Sequence, residues 1–345
     1  MADAPKIEYL VFDVESVADG QLVADVQFPG EGLAPSAAIA RFQAELREKQ
    51  NGRDFIPHTF QVPTAVVVGK VDSEFNLVDL VSLDEPGFRP HVITEHFWRG
   101  WEMYHRPTWV TFNGRSFDLP LMELAAFRYG LNLQDWFYAK GASYKHPRNR
   151  YNHDSHFDLH EWLTNFGATW FRGGLDLAAT ILGKPGKMGV KGYQVQEMWE
   201  TGKTQAISDY CRCDVLDTYF VFLRSAVLTG SITLERENQL VEQTHRWLQA
   251  RAASCQAYRD YLEGWGDWQD PFHPASPPPS GEPAPSVAPG PADAPADEQA
   301  DEQAGATSAS SASSASSASS APSTSPEDAA GSVESETSPS SSPPS

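Results

Sequence analysis

The chain turns apolar almost at its start. Ile7-Glu8-Tyr9-Leu10-Val11-Phe12 is rich in strand formers and free of Gly and Pro, which predicts a buried strand. Comparable runs at Thr64–Val71 and Phe75–Leu83 predict a hairpin, and Thr108–Phe112 predicts another strand. Helices are expected at Ser36–Lys49, near Val92–His105 and over Leu119–Phe127, the last ending before Gly130. Ala206–Leu223 has neither Gly nor Pro and reads as a further helix. From Leu234 to Leu262, apolar or semi-apolar residues recur at 234, 241, 248, 255 and 262, with 240, 247 and 261 beside them. That stripe predicts an amphipathic helix. Glu237, Thr244 and Arg251 hold the complementary heptad positions, so the helix is expected to dock on the rest of the chain rather than form a dimer coil.

Three of these elements deliver carboxylates in a local geometry that can aim them at one point. Asp13-Val14-Glu15 follows the first strand, and side chains two apart on a strand share a face, so both carboxylates point one way while Val14 points into the core. Alone, a D-x-E is equally a turn acid beside a solvent-facing one. Asp118 follows the strand at Thr108–Phe112 and the turn at Asn113-Gly114, just ahead of a helix. That is ordinary N-cap placement, and it is also where open α/β sheets place ligands. Tyr210 and Asp214 are four apart on the predicted helix and share a face.

The order Asp-x-Glu, Asn-Gly-x-x-Phe-Asp, Tyr-x-x-x-Asp resembles the DEDD superfamily of 3′–5′ exonucleases, which have an RNase H-like α/β fold. His156-Phe157-Asp158-Leu159, Leu182 to Lys187, Gly192-Tyr193-Gln194-Val195 and the surroundings of Tyr210 sharpen the likeness, over about residues 7–224. They resemble the predicted exonucleases related to the proofreading domain of family B DNA polymerases. The histidine subtype needs His five residues before the last Asp, where this chain has Asp209; Tyr210, four before, fits the tyrosine subtype.

The resemblance implies a catalytic set of Asp13, Glu15, Asp118, Tyr210 and Asp214 acting with two Mg²⁺ or Mn²⁺ ions. Asp13, Glu15 and Asp214 would hold one ion, and Asp13 would bridge to a second near Asp118. Tyr210 would orient the attacking water; a phenol with an ordinary pKa near ~10 is a poor base at neutral pH. Asn113 and Phe117 are candidates for the terminal-nucleotide pocket, with Phe117 also expected as a core anchor. Lys184, Lys187 and Lys191, in a glycine-punctuated loop, are candidates for backbone phosphates or a solvated basic loop.

Other motifs carry less. Gly202-Lys203-Thr204 ends like a P-loop, but Glu197 stands where the leading Gly is required. His153, His156, Asp158 and His160 crowd together without a nearby Cys, and Asp158 is placed to cap a helix starting around Leu159. Cys211 and Cys213 face different directions on a helix and suit neither a disulfide nor a chelate.

Composition sets the remaining limits. The chain has 345 residues and a formal net charge of −20, which disfavours nonspecific nucleic-acid binding, although bound divalent ions would reverse the local field. From about Pro271 it becomes Pro, Ser, Ala and acids, and no Lys or Arg follows Arg259, so the end of the chain is expected to be disordered. The expected organisation is an exonuclease domain over 1–231, a helical extension over 232–268 and an acidic tail over 269–345. Three cysteines without a signal-like N-terminus predict a cytoplasmic protein, and no apolar run approaches a membrane span. The expected activity is 3′–5′ exonuclease on single-stranded or frayed ends, DNA favoured, in repair, proofreading in trans or end trimming. The alternatives are a 3′–5′ exoribonuclease and a noncatalytic nucleic-acid-binding module. The expected partner is a nucleic acid with a free 3′ end, and protein partners of the acidic tail are left open.

Overall fold

In the computed structural model, the first strand becomes the middle of a five-stranded sheet. The structure describes residues 5–138, 141–186 and 194–273, all within one compact unit, Met1–Pro277. Strand β1 (Ile7–Ala18) pairs antiparallel with β2 (Gln61–Asp72) and parallel with β4 (Thr108–Thr111). β2 carries β3 (Leu77–Ser82) on its other side, antiparallel, and β4 carries the short parallel strand β5 (His156–Asp158). This mixed sheet flanked by helices is the RNase H-like α/β arrangement.

The two faces of β1 explain its sequence. Leu10, Phe12 and Val14 pack into one apolar cluster with Phe97, Trp98 and Trp109, under α3 (Pro90–Met103) and α4 (Asp118–Tyr129). Beyond α4 come α5 (Gln134–Phe137), α6 (Leu159–Leu163), α7 (Gly174–Ile181) and α8 (Val195–Glu200). Val11 and Val17 pack into the opposite cluster, against α9 (Thr204–Leu228). Asp13 and Glu15 have the parity of Val11 and Val17, so they face the α9 side of the sheet. The β1–β2 pairing shifts register between Glu15 and Ser16, where the Thr64 hydroxyl donates to the Glu15 carbonyl at 3.0 Å. A bulge at this point turns the strand end beside the acids.

Other elements depart from the pattern in the sequence. Phe75 is not in a strand: it takes φ +65° in the β2–β3 turn, where Asp72 accepts from Glu74 and Asn76, and its ring stacks on Tyr9 at 5.3 Å. Asp19 accepts from the N–H groups of Gln21 and Leu22, capping an unanticipated helix α1 (Gly20–Gln27). It packs on α2 (Pro35–Lys49) through Val23, Ala38, Ile39 and Phe42, a satellite core for the insertion.

The helix anticipated over 234–262 is two helices, α10 (Leu234–Gln249) and α11 (Gln256–Glu263). Cys255 between them is extended, and Arg259 donates to the freed carbonyls of Ala252 and Ala253. The break brings Ala257, Tyr258 and Tyr261 back into the cluster around α9. The buried face of α10 is rotated from the expected stripe: Glu237 and Thr244 are buried with Leu240 and Leu248. Both polar residues are satisfied, Glu237 by the Arg224 guanidinium and Thr244 by donating to the Leu240 carbonyl. Among the described residues no helix is long and apolar enough to cross a membrane. Of the expected tail, only residues 269–273 are described; 274–345 lie outside the described residues.

Candidate active site

The sheet and α9 bring the first and third acidic motifs together. One carboxylate oxygen each from Asp13, Glu15 and Asp214 lies within 4.8 Å of the others. Asp13 and Glu15 come from the α9-facing side of β1, and Asp214 comes from the middle of α9, one turn beyond Tyr210. All three are part-exposed, at the edge of an otherwise buried layer.

Asp118 joins them from the opposite face of the sheet. It opens α4 and is buried, and its Oδ1 accepts the main-chain N–H of Val14 at 3.0 Å. Val14 lies between Asp13 and Glu15, so this bond fixes Asp118 against the D-x-E. Tyr210 is buried and hydrogen-bonded to Asp214. Asp13, Glu15 and Asp214 thus form a triad, with Tyr210 bonded to one member and Asp118 bonded to the strand between the other two.

The electrostatics follow from that crowding. Burial pushes the Asp13 carboxyl up to about 8, and the charge of Asp118 adds to it; the Cys211 thiol and the Val14 N–H act the other way. Glu15 is raised well above its ordinary range by burial, then by Asp13, Asp214 and Asp118. Asp118 is raised to about 7, chiefly by burial, with Asp158 and Asp214 adding like charge. Burial and the carboxylates of Asp214, Glu15 and Asp13 drive the Tyr210 phenol upward, so it stays protonated and serves as a donor. Hard carboxylate oxygens at this spacing are the ligands that a divalent cation takes, and a cation in their midst would relieve the repulsion that now raises their proton affinity.

Two residues that the sequence did not mark as functional support the site. Cys211 is buried, with its Sγ 3.3 Å from the Asp13 carbonyl and 3.5 Å from Asp13 Oδ2, so the thiol braces the backbone and side chain of that acid. Asp158 caps α6 (Leu159–Leu163) as expected, accepting from the N–H groups of His160 and Glu161. It also accepts from Asn113 at 3.0 Å and Arg115 at 2.8 Å, and so holds the turn that leads to Asp118. The second role has no local signature, because its donors lie about 45 residues away.

The remaining candidates divide. Asn113 is exposed at φ +67°, its side chain accepting from Ser116 at 2.8 Å, on the turn before Asp118. Phe117 is no core anchor: it is half-buried, with ring contacts to Phe55 at 5.9 Å and His58 at 6.2 Å. Lys184 is not available to phosphates. It is buried, donates to the Gly266 carbonyl at 2.8 Å and sits 3.8 Å from the Trp265 ring centroid, and burial lowers its pKa to about 8. Lys187, Lys191 and the Gly192-Tyr193 pair lie outside the described residues. His156 and His160 do not converge on a metal: His156 bonds Thr111 at 2.8 Å and His160 packs on Phe112. Among the described residues the acidic triad is the one cluster suited to an ion.

A family model described as a predicted 3′–5′ exonuclease related to the exonuclease domain of PolB matches residues 53–265. That span contains Asp118, Tyr210 and Asp214, while Asp13 and Glu15 precede it and reach the site through the sheet. No curated protein matches the chain.

Proposed function

Because the chain belongs to this family of predicted 3′–5′ exonucleases, we propose that it hydrolyses phosphodiester bonds one nucleotide at a time from the 3′ end of single-stranded or frayed nucleic acid, DNA favoured. One observation carries the reading. Asp13, Glu15 and Asp214 present oxygens within 4.8 Å of one another, and Asp118 is tied to the strand between the first two.

In this reading Asp13, Glu15 and Asp214 would hold one Mg²⁺ or Mn²⁺, and Asp13 with Asp118 would hold a second. Bound there, the ions would supply a nucleophilic water and stabilise the charge on the attacking and leaving oxygens. The protein's own groups orient the reactants. Tyr210, whose proton goes to Asp214, positions the attacking water through its hydroxyl oxygen. Asp158 and Cys211 keep the turn before Asp118 and the backbone at Asp13 in place. Asn113 and Phe117, next to Asp118, border the place for the terminal nucleotide.

The test is a 5′-labelled single strand of DNA, and the same sequence as RNA, incubated with Mg²⁺, Mn²⁺ or EDTA beside an Asp13→Ala variant. A metal-dependent ladder shortening from the 3′ end and missing from the variant is the expected result, and the faster polymer identifies the preferred sugar. A folded protein that shortens neither polymer under any of these conditions overturns the reading in favour of a noncatalytic binding module.

A further inference from the structure

The turn that ends in Asp118 is held at both ends by aromatic contacts, and each leads to an exposed ring with an arginine beside it. At one end Phe117, directly before Asp118, touches the ring of Phe55 at 5.9 Å. Phe55 is 61% exposed, and Arg53, two residues earlier, is exposed as well. At the other end Phe112, directly before Asn113, touches Phe171 at 5.9 Å. Phe171 is flanked by Trp170, which is 72% exposed, and by exposed Arg172. Most arginines here are tied up in ion pairs: Arg41 with Glu31, Arg47 with Asp54, Arg128 with Asp19, Arg148 with Glu123. Among the described residues neither Arg53 nor Arg172 has such a pair.

We propose that Phe55 with Arg53 and Trp170 with Arg172 are two arms of a single-strand binding track that crosses the Asn113–Asp118 turn, stacking unpaired bases on the rings and meeting phosphates with the guanidinium groups. The proposal rests on the exonuclease reading and adds to it how the strand is held and why it must be unpaired. A large exposed aromatic ring is a poor neighbour for water and a good one for a base, because every base has a π-face, and this makes stacking tolerant of sequence. A base within a duplex is already stacked on both faces and cannot reach either ring. In a chain of net charge −20, exposed Arg53 and Arg172, close in sequence to the rings that touch Phe117 and Phe112, offer positive charge to a phosphate backbone on either side of the turn.

The experiment measures anisotropy of a fluorescein-labelled oligothymidylate with the full chain carrying Asp13→Ala, so that binding is read without cleavage. Trp170→Ala and Phe55→Ala are each expected to weaken binding roughly five- to a hundredfold. The Arg53→Gln/Arg172→Gln double variant is expected to flatten the slope of log K against log salt by about 1.4, since each phosphate contact on a single strand contributes about 0.7. Phe127→Ala is the control: it removes an 86% exposed ring at the far end of α4 and should bind like the parent. A blunt duplex of the same length should bind more weakly than the single strand and be indifferent to Trp170→Ala.

If Trp170→Ala and Phe55→Ala bind like Phe127→Ala while the otherwise unaltered protein degrades 3′ ends, the track is wrong and the exonuclease reading stands. If the protein neither binds nor degrades any single strand, both fall together. All four positions are on the surface, and thermal unfolding of each variant alongside the parent separates lost binding from lost fold.

Discussion

The Asp118 carboxylate accepts the main-chain N–H of Val14 at 3.0 Å, across 104 residues of sequence. One oxygen of the second motif is thereby fastened to the backbone of the first. Position and charge at Asp118 can be separated by substitution. Asp118→Asn keeps an acceptor for Val14 and removes a buried charge crowded by Asp214 and Asp158, so its metal-free stability should equal or exceed that of the parent. Asp118→Ala strands a buried N–H and should lose about 1–3 kcal/mol. Activity should fall at least ~100-fold in both, since even residues behind metal ligands are worth about 10–100-fold. Denaturant unfolding and a nuclease assay check this together; equal stability losses in the two variants would contradict it.

Asp158 should behave as a positioning residue. It accepts from Asn113 and Arg115 on one side and from His160 and Glu161 on the other. Asp158→Ala leaves four part-buried N–H groups without this acceptor, which should cost about 1–3 kcal/mol in all, and loosens the turn before Asp118. Asp158→Asn keeps an acceptor oxygen and should recover most of the stability. For catalysis, kcat should fall more than KM rises, because the turn carries Asp118. A variant with lower stability and unchanged kcat would reduce Asp158 to a helix cap.

Much of this site is readable in the sequence, for a physical reason. Asp13 and Glu15 share a strand face by parity, and Tyr210 and Asp214 share a helix face by periodicity, so local geometry already aims each pair. What local geometry does not carry is the partner across the fold. The second role of Asp158 and the bracing of Asp13 by Cys211 both depend on residues distant in sequence. Lys184 misleads for the same reason. A lysine in a glycine-rich stretch looks solvated until Trp265 and Gly266, about eighty residues later, close over it. The single helix read over 234–262 fails at Cys255 because apolar spacing does not register a break that tertiary packing of Tyr258 and Tyr261 rewards.

Tyr210→Phe should separate orientation from metal holding. The hydroxyl donates to Asp214, and burial with neighbouring carboxylates keeps it protonated throughout the working pH range. Removing it should lower kcat on the order of 10²-fold, within the range for a positioned proton-bearing group. Stabilisation by Mn²⁺ should remain, because Asp13, Glu15 and Asp214 are untouched. The shape of the pH–rate profile should also be unchanged, since Tyr210 does not titrate within it. An alkaline limb that disappears in Tyr210→Phe would show instead that the phenol works as a base.

Metal and protons should compete for the acidic cluster in a way that thermal unfolding can read. Asp13 and Asp118 are raised to about 8 and about 7 in the fold, against about 4 in an unfolded chain. The folded protein therefore binds more protons than the unfolded one between about pH 4 and about pH 8. In EDTA, these groups should make stability fall as pH rises through that window and level off above it. A divalent ion needs the carboxylates deprotonated, so its stabilisation should be small near pH 5 and grow toward pH 8. At a hundredfold excess over its Kd, Mn²⁺ should add about 2.7 kcal/mol once protons no longer compete. Asp13→Asn removes a ligand and a repelling charge together. It should flatten the fall in EDTA and lose most of the response to Mn²⁺. A response to Mn²⁺ of the same size at pH 5 and pH 8, or one that survives in Asp13→Asn, would place the ion elsewhere on the protein.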